Sequence, residues 1–252
     1  MHSSLRSRLM LLRQRARSFV GQHPAIYLPY AQWKRRRHLT QAQRSGTQPE
    51  WTAPVDRGTD AVIEGFPRSA NTFAATAFEL AQRRPVRVAR HLHVPAQIIA
   101  GTRWRIPTIV LVRDPEEAII SLVVWAPSIS LAQGVKDYVR FYRRIYPYRE
   151  GFVVARFDEV TTDFGKVVRR LNERFGTTFD EFEHTSENVS RCFGIMEDHA
   201  RINKVSETQI GRPSKERDVM KHRLRAAFRS AELAALRTDA YRLYEAFNTT
   251  DH

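Results

Sequence analysis

Five residues, Thr108-Ile109-Val110-Leu111-Val112, are β-branched or aliphatic without interruption and run straight into Arg113-Asp114-Pro115-Glu116-Glu117. A strand with no polar alternation has no solvent face, so this one is expected to lie inside a sheet covered on both sides. The residues after it start a helix: Asp114 can cap it, Pro115 suits the first turn, and two glutamates face the positive helix end. A chain built around such a strand–helix junction is expected to be α/β.

The surrounding sequence repeats the pattern. Ala61-Val62-Ile63-Glu64-Gly65 reads as a short buried strand, with a helix next to it from Asn71 to about Gln82. Val86-Arg87-Val88 reads as a weaker strand and Phe152 to Phe157 as another. Helical spacing of apolar residues marks Val135–Tyr146, Phe164–Phe175 (stopped by Gly176) and Leu233–Phe247. The expected fold is a three-layer, P-loop-like α/β domain with a central parallel sheet flanked by helices, and ligands are expected beyond the carboxyl ends of its strands.

Charge is concentrated at one end. Of the formal net charge of +14, residues 1–57 carry +9, from eleven Lys and Arg against Glu50 and Asp56. This stretch, with a Gly/Pro-containing linker near residues 46–54, is expected as a basic extension ahead of a domain at 58–252. Two readings of it stand. It could touch a membrane surface or another polyanion, or be a partly helical extension packed on the domain by Phe19, Ile26, Tyr27, Leu28, Tyr30 and Trp33. The basic run at residues 34–37 has no periodic aromatic pattern, so nucleic acid is not the expected partner. A single cysteine, Cys192, excludes an intrachain disulfide. No apolar run approaches the ~20 residues of a membrane span, and Leu9–Leu12 is too short and too soon interrupted by arginine for a secretory signal. The expectation is a cytoplasmic protein, peripheral at a membrane if the basic arm docks there.

Two loops carry candidate chemistry. Gly65-Phe66-Pro67-Arg68-Ser69-Ala70-Asn71-Thr72-Phe73 occupies the place of a phosphate loop. Against the Walker pattern, Gly65 and Thr72 match, while Ala70 stands at the second glycine and Asn71 at the lysine. The strand–loop–helix turn still aims backbone amides at an anion, and Arg68 supplies a cation. The second loop places Arg113 at a strand end with Ser121 eight residues on, about two helical turns past Asp114. A guanidinium donates bidentately to phosphate, and a nearby hydroxyl could complete the bracket.

Together these two motifs resemble the sulfotransferases that use 3′-phosphoadenosine 5′-phosphosulfate (PAPS). In that family the first loop, usually Pro-Lys-Ser-Gly-Thr-Thr-Trp, holds the 5′-phosphosulfate, and an Arg and a Ser at the spacing of Arg113 and Ser121 hold the 3′-phosphate. Weaker likenesses lie further along the chain. Phe157-Asp158-Glu159 and Cys192-Phe193-(x)2-Met196 resemble elements near the adenine, and Gly211-Arg212-Pro213-Ser214-Lys215 resembles a late loop that closes on the 3′-phosphate. The resemblance spans roughly residues 58–225. It departs at Arg68 (usually Lys), Ala70 (usually Gly) and Phe73 (often Trp), and no dimerisation segment is recognisable.

The resemblance implies roles. Arg68 and the amides of Ser69, Ala70, Asn71 and Thr72 would hold the 5′-phosphate and the charge developing on the leaving oxygen, with Thr76 a further hydroxyl. Arg113, Ser121 and Arg212 would hold the 3′-phosphate, and Phe73, Phe157 and Phe193 would flank the adenine. Aligning His-Val-Pro on the family's His-Leu-Pro selects His93 as the base; His91, two residues earlier, would point the same way in an extended chain and is its competitor. No metal is implied. The acceptor would be a hydroxyl, less readily an amine, of a glycan, lipid or natural product. The rival readings are a P-loop kinase and a basic polyanion binder without turnover.

Overall fold

A computed structural model of the chain describes residues 19–45, 52–202 and 215–249, the last segment from 220 onward with side chains. Four strands form one all-parallel sheet: β1 (Ala61–Gly65), β2 (Val88–Arg90), β3 (Thr108–Val112) and β4 (Val153–Arg156), in the order β2-β1-β3-β4. The helices are α1 (Pro24–Ser45), α2 (Asn71–Ala81), α3 (Pro95–Arg103), α4 (Pro115–Trp125), α5 (Leu131–Ile145), α6 (Phe157–Thr162), α7 (Phe164–Phe175), α8 (Ser186–Ile202), α9 (Lys215–Phe228) and α10 (Ala234–Asn248). The architecture is the expected three-layer α/β arrangement.

Strand β3 sits in the sheet interior and is buried at all five positions, as its lack of alternation requires. Its side chains divide between two cores. Ile109 and Leu111 join Ile63, Phe78 and Leu171 on the side covered by α2, α7 and α8. Val110 and Val112 join Ile119, Tyr138, Tyr142 and Phe247 on the side covered by α4, α5 and α10. A third cluster links Val62 and Ala89 through Ala96 and Ala100 of α3 to Tyr27, Leu28 and Ala31 of α1.

The first helix therefore packs on the domain, but through only two of the six residues expected to anchor it. Tyr27 and Leu28 are buried, whereas Phe19, Ile26, Tyr30 and Trp33 are exposed. Ala53 pairs with Arg90 beside β2, and Val55 is fully buried, so residues 52–55 lie along the sheet edge.

Local signals fall where chemistry puts them. Asp114 Oδ1 accepts from the Glu117 amide at 3.1 Å, with Pro115 in the first turn of α4. Gly176 ends α7 at a φ of 64°, a conformation that favours glycine. Strand β2 begins at Val88 rather than Val86, because its register pairs Ala61 with Val88 and Ile63 with Arg90.

Candidate functional site

From β1 the chain crosses to β2 on one side; from β3 it proceeds to β4 on the other. The connections that follow the paired neighbours β1 and β3 thus leave in opposite directions, a switch point of the kind beside which such sheets bind ligands. The loop at residues 65–70 follows one of these strands and Arg113 follows the other.

The first loop is set by close packing at its base and strain at its tip. A Cβ on Gly65 would lie 2.5 Å from the Leu111 carbonyl oxygen of β3, so only glycine lets the strands approach there. Phe66 anchors the turn, its ring 5.1 Å from Tyr138 and 6.1 Å from Phe141. Arg68 and Ala70 both adopt left-handed backbone, with φ of 71° and 65°, and Ser69 between them does not. This alternation turns successive N–H groups toward one side, the backbone pattern of a nest. Each such non-glycine residue costs about 1–2 kcal/mol. The loop holds because it is over-determined: Asn71 Nδ2 donates to the Phe66 carbonyl at 2.9 Å and Arg113 Nη1 to the Arg68 carbonyl at 2.8 Å. Ala70 caps α2 without a side-chain acceptor, and Ala74 is bonded to the Ala70 carbonyl. The amides of Asn71, Thr72 and Phe73 precede that first helical bond and add their dipole to the nest.

Three of the sequence-selected residues, Arg68, Arg113 and Ser121, come together: Arg68 Nε donates to Ser121 Oγ at 3.1 Å while its carbonyl receives Arg113. Arg113 is further held by Glu117 at 3.5 Å and stands 4.0 Å over the Phe157 ring. Burial lowers the Arg113 pKa, opposed by Glu117 and Asp114. Ser69 is fully buried and Thr72 half-buried. Asn71 braces the loop through its side chain, so the position of the Walker lysine here performs a structural task. Phe73 and Phe193 meet at 5.9 Å, together with Phe182 and His184. Phe157 lies against Arg113 instead. Arg212 falls outside the described residues; the helix that begins at Lys215 packs on α4, which carries Ser121.

The two histidines are not equivalent. The expectation that they point the same way assumed extended chain, but both have left-handed backbone, with φ of 61° at His91 and 51° at His93. Their rings meet edge to face at 5.8 Å. Burial drives His91 well below its ordinary pKa, and His93, Arg90 and His199 push the same way. His93 retains 27% side-chain exposure. Its Nδ1 lies 3.1 Å from the Gly65 carbonyl oxygen and 3.3 Å from Glu64 Oε1. A carbonyl can only accept, so Nδ1 is the donor of this contact, and the ring's other nitrogen is Nε2.

Glu64 is the residue that sequence reasoning passed over. It is completely buried in a strand otherwise apolar, and donors surround it. The Gly65 amide reaches Oε1 at 3.2 Å, while the Leu92 amide and Gln97 Nε2 reach Oε2 at 2.9 and 3.0 Å. Gln97 in turn accepts from the Val55 amide at 2.9 Å. A buried carboxylate survives only with such partners. The available signal was a lone acid in the middle of an apolar strand. Arg225 was also passed over; it reaches Glu117 at 2.5 Å from α9.

His91 gives the fold a pH dependence. With a depressed folded pKa, the unfolded chain binds the proton first. The associated stability is complete above the ordinary value of ~6.5 and is lost as pH falls through and below it. His199, lowered by burial and Arg90, acts in the same direction. We expect a lower urea midpoint at pH ~5.5 than at ~7.5, and a smaller difference in His91→Gln. A midpoint that rises on acidification would contradict this assignment.

No family model matches the chain, and no curated protein does. Among solved structures, the chain is similar to mouse sulfotransferase SULT7A1 complexed with PAP. The identity is 12% and the TM-score 0.42, over 77% of this chain and 90% of that one.

Proposed function

We propose that the protein is a PAPS-dependent sulfotransferase. The observation that carries this reading is the meeting of Arg68, Arg113 and Ser121 beyond the carboxyl ends of β1 and β3, beside a strained turn of backbone amides. Two arginines from two loops and a hydroxyl from α4 form a cationic cluster whose chemistry suits phosphate.

Residues present fit the donor by chemistry. The nest and Arg68 would hold the 5′-phosphate and receive the negative charge that grows on its bridging oxygen. Arg113 and Ser121 would hold the 3′-phosphate, with Arg212 joining them. Phe193, packed beside the buried Phe73, would flank the adenine. His93 Nε2 would take the acceptor's hydroxyl proton as the acceptor oxygen forms its bond to sulfur. The bond from sulfur to the 5′-phosphate oxygen breaks with it, which leaves the bisphosphate and a protonated His93. Glu64 stabilises that imidazolium through Nδ1. The acceptor is a hydroxyl of a glycan, lipid or natural product.

A kinase reading predicts a lysine on the β/γ-phosphates, where Asn71 is committed to the Phe66 carbonyl. The test is calorimetric titration with 3′-phosphoadenosine 5′-phosphate and with AMP. Arg113→Ala is expected to weaken the bisphosphate by about 10–100-fold, the loss of a charge-assisted phosphate contact, and AMP by a smaller factor, because the bond to the Arg68 carbonyl is lost as well. Equal weakening of both would remove Arg113 from the 3′-phosphate, and absence of bisphosphate binding in the native protein would overturn the reading.

A further inference from the structure

Helix α1 turns one face to the domain and leaves the other to solvent. Tyr27, Leu28, Ala31 and Ala42 form the buried face. Opposite them Ile26, Tyr30 and Trp33 recur at helical spacing and are 63%, 56% and 53% exposed, with Phe19 at 65% just ahead. The outward side continues through Arg36, Arg37 and Arg44, and the Arg37 guanidinium stands 4.9 Å over the Trp33 ring. The helix has 22 residues and no acid among them, while Lys34, Arg35, Arg36, Arg37 and Arg44 are cationic. Only Arg35 is drawn inward, bonded to the Thr52 carbonyl.

Large apolar side chains are usually scattered on a soluble surface; here three share one side of an acid-free cationic helix, with Phe19 just ahead of it. We propose that this face of α1 docks on an anionic bilayer surface. Phe19, Ile26, Tyr30 and Trp33 enter the boundary between headgroups and acyl chains, and Arg36, Arg37 and Arg44 meet lipid phosphates. Combined apolar insertion and charge attraction is what holds an interfacial helix. Nucleic acid would engage the cations and the flat rings but leaves exposed Ile26 and Pro29 without a partner. Among the described residues no helix is long and apolar enough to cross a membrane, which fits a helix lying on the surface.

The location ties docking to the candidate site. The Gly21 carbonyl accepts from the Ala96 amide at 2.8 Å, and Val20 packs on the cluster containing Leu92 and Val94. The start of the docking face thus adjoins the turn that carries His93. That connection rests on the transferase reading; the docking does not.

The test is sedimentation of the full chain with phosphatidylcholine vesicles, with and without about 30% phosphatidylglycerol. Binding is expected only to the anionic vesicles and is expected to weaken between about 0.1 and 0.5 M NaCl. Trp33→Asp should lower the partition coefficient at least about tenfold and Arg36→Gln/Arg37→Gln about 30-fold, with unchanged melting because these side chains are exposed. No anionic-vesicle binding, or binding untouched by these variants, would overturn the proposal. So would binding to poly(U) without binding to vesicles. The assay contains neither donor nor acceptor, so its failure leaves the transferase reading standing, and failure of that reading leaves docking standing.

Discussion

Replacing His93 by alanine is expected to lower kcat for sulfuryl transfer by about 10²–10⁴-fold while affinity for 3′-phosphoadenosine 5′-phosphate stays unchanged. The separation comes from where the residue sits. His93 belongs to the turn after β2, whereas the groups proposed to hold the phosphates belong to the loops after β1 and β3. Its Nδ1 is occupied by the Gly65 carbonyl, which leaves Nε2 to receive a proton. His91 lacks this arrangement, since burial holds its pKa well down and disfavours the charged form a base must pass through. Its replacement is expected to affect stability more than turnover. Titration of each variant with the bisphosphate, beside a rate measurement, separates the two roles. Equal loss of rate and bisphosphate affinity in His93→Ala would show that His93 acts on the donor instead.

Glu64→Gln is expected to produce the second largest loss, about 100-fold or more in kcat, without removing any group that touches a substrate. An amide cannot stabilise the imidazolium as a carboxylate does, and an amide NH₂ placed toward Nδ1 opposes the required tautomer. Stability should fall too, by about 1–3 kcal/mol, because one oxygen cannot serve the Gly65 and Leu92 amides and Gln97 together. The exchanged pair Glu64→Gln/Gln97→Glu separates these effects. It keeps one carboxylate in the pocket but moves it off His93, and is expected to recover stability more than rate. Full recovery of rate by that pair would show that Glu64 acts only as a packing group.

The elements readable from sequence were those with a simple pattern or a strong local signal. Strand β3 has no polar alternation and lies between two cores; Asp114 and Pro115 start α4 as their chemistry requires. Helix α3 was not legible because Pro95 to Gly101 is buried all round, which erases helical periodicity. Residues 186–202 were read only for their Cys-Phe-(x)2-Met motif, yet they form one helix, α8, in which only Cys192 and Ala200 are buried.

At the site, residue types were legible and their linkages were not. Arg68, Arg113 and Ser121 could be picked from their motifs as candidates for one site, but a bond between Arg68 and Ser121, 53 residues apart, depends on the pairing of β1 with β3. The role of Asn71 was hidden for the same kind of reason: its partner is a backbone carbonyl five residues back, set by a turn whose left-handed residues are not glycines. Glu64 was visible as an oddity in its strand, but its donors come from β1, the turn after β2 and α3.

The central claim is a site for a 3′,5′-bisphosphorylated adenosine, and thermal unfolding of the native protein with 3′-phosphoadenosine 5′-phosphate, AMP or ATP–Mg²⁺ tests it most directly. At 100 times its dissociation constant a ligand adds about 2.7 kcal/mol to folded stability, a shift of several degrees in Tm. We expect that shift with the bisphosphate and little with the other two at the same concentration. Stabilisation by ATP–Mg²⁺ alone, or by none of the three, would contradict it.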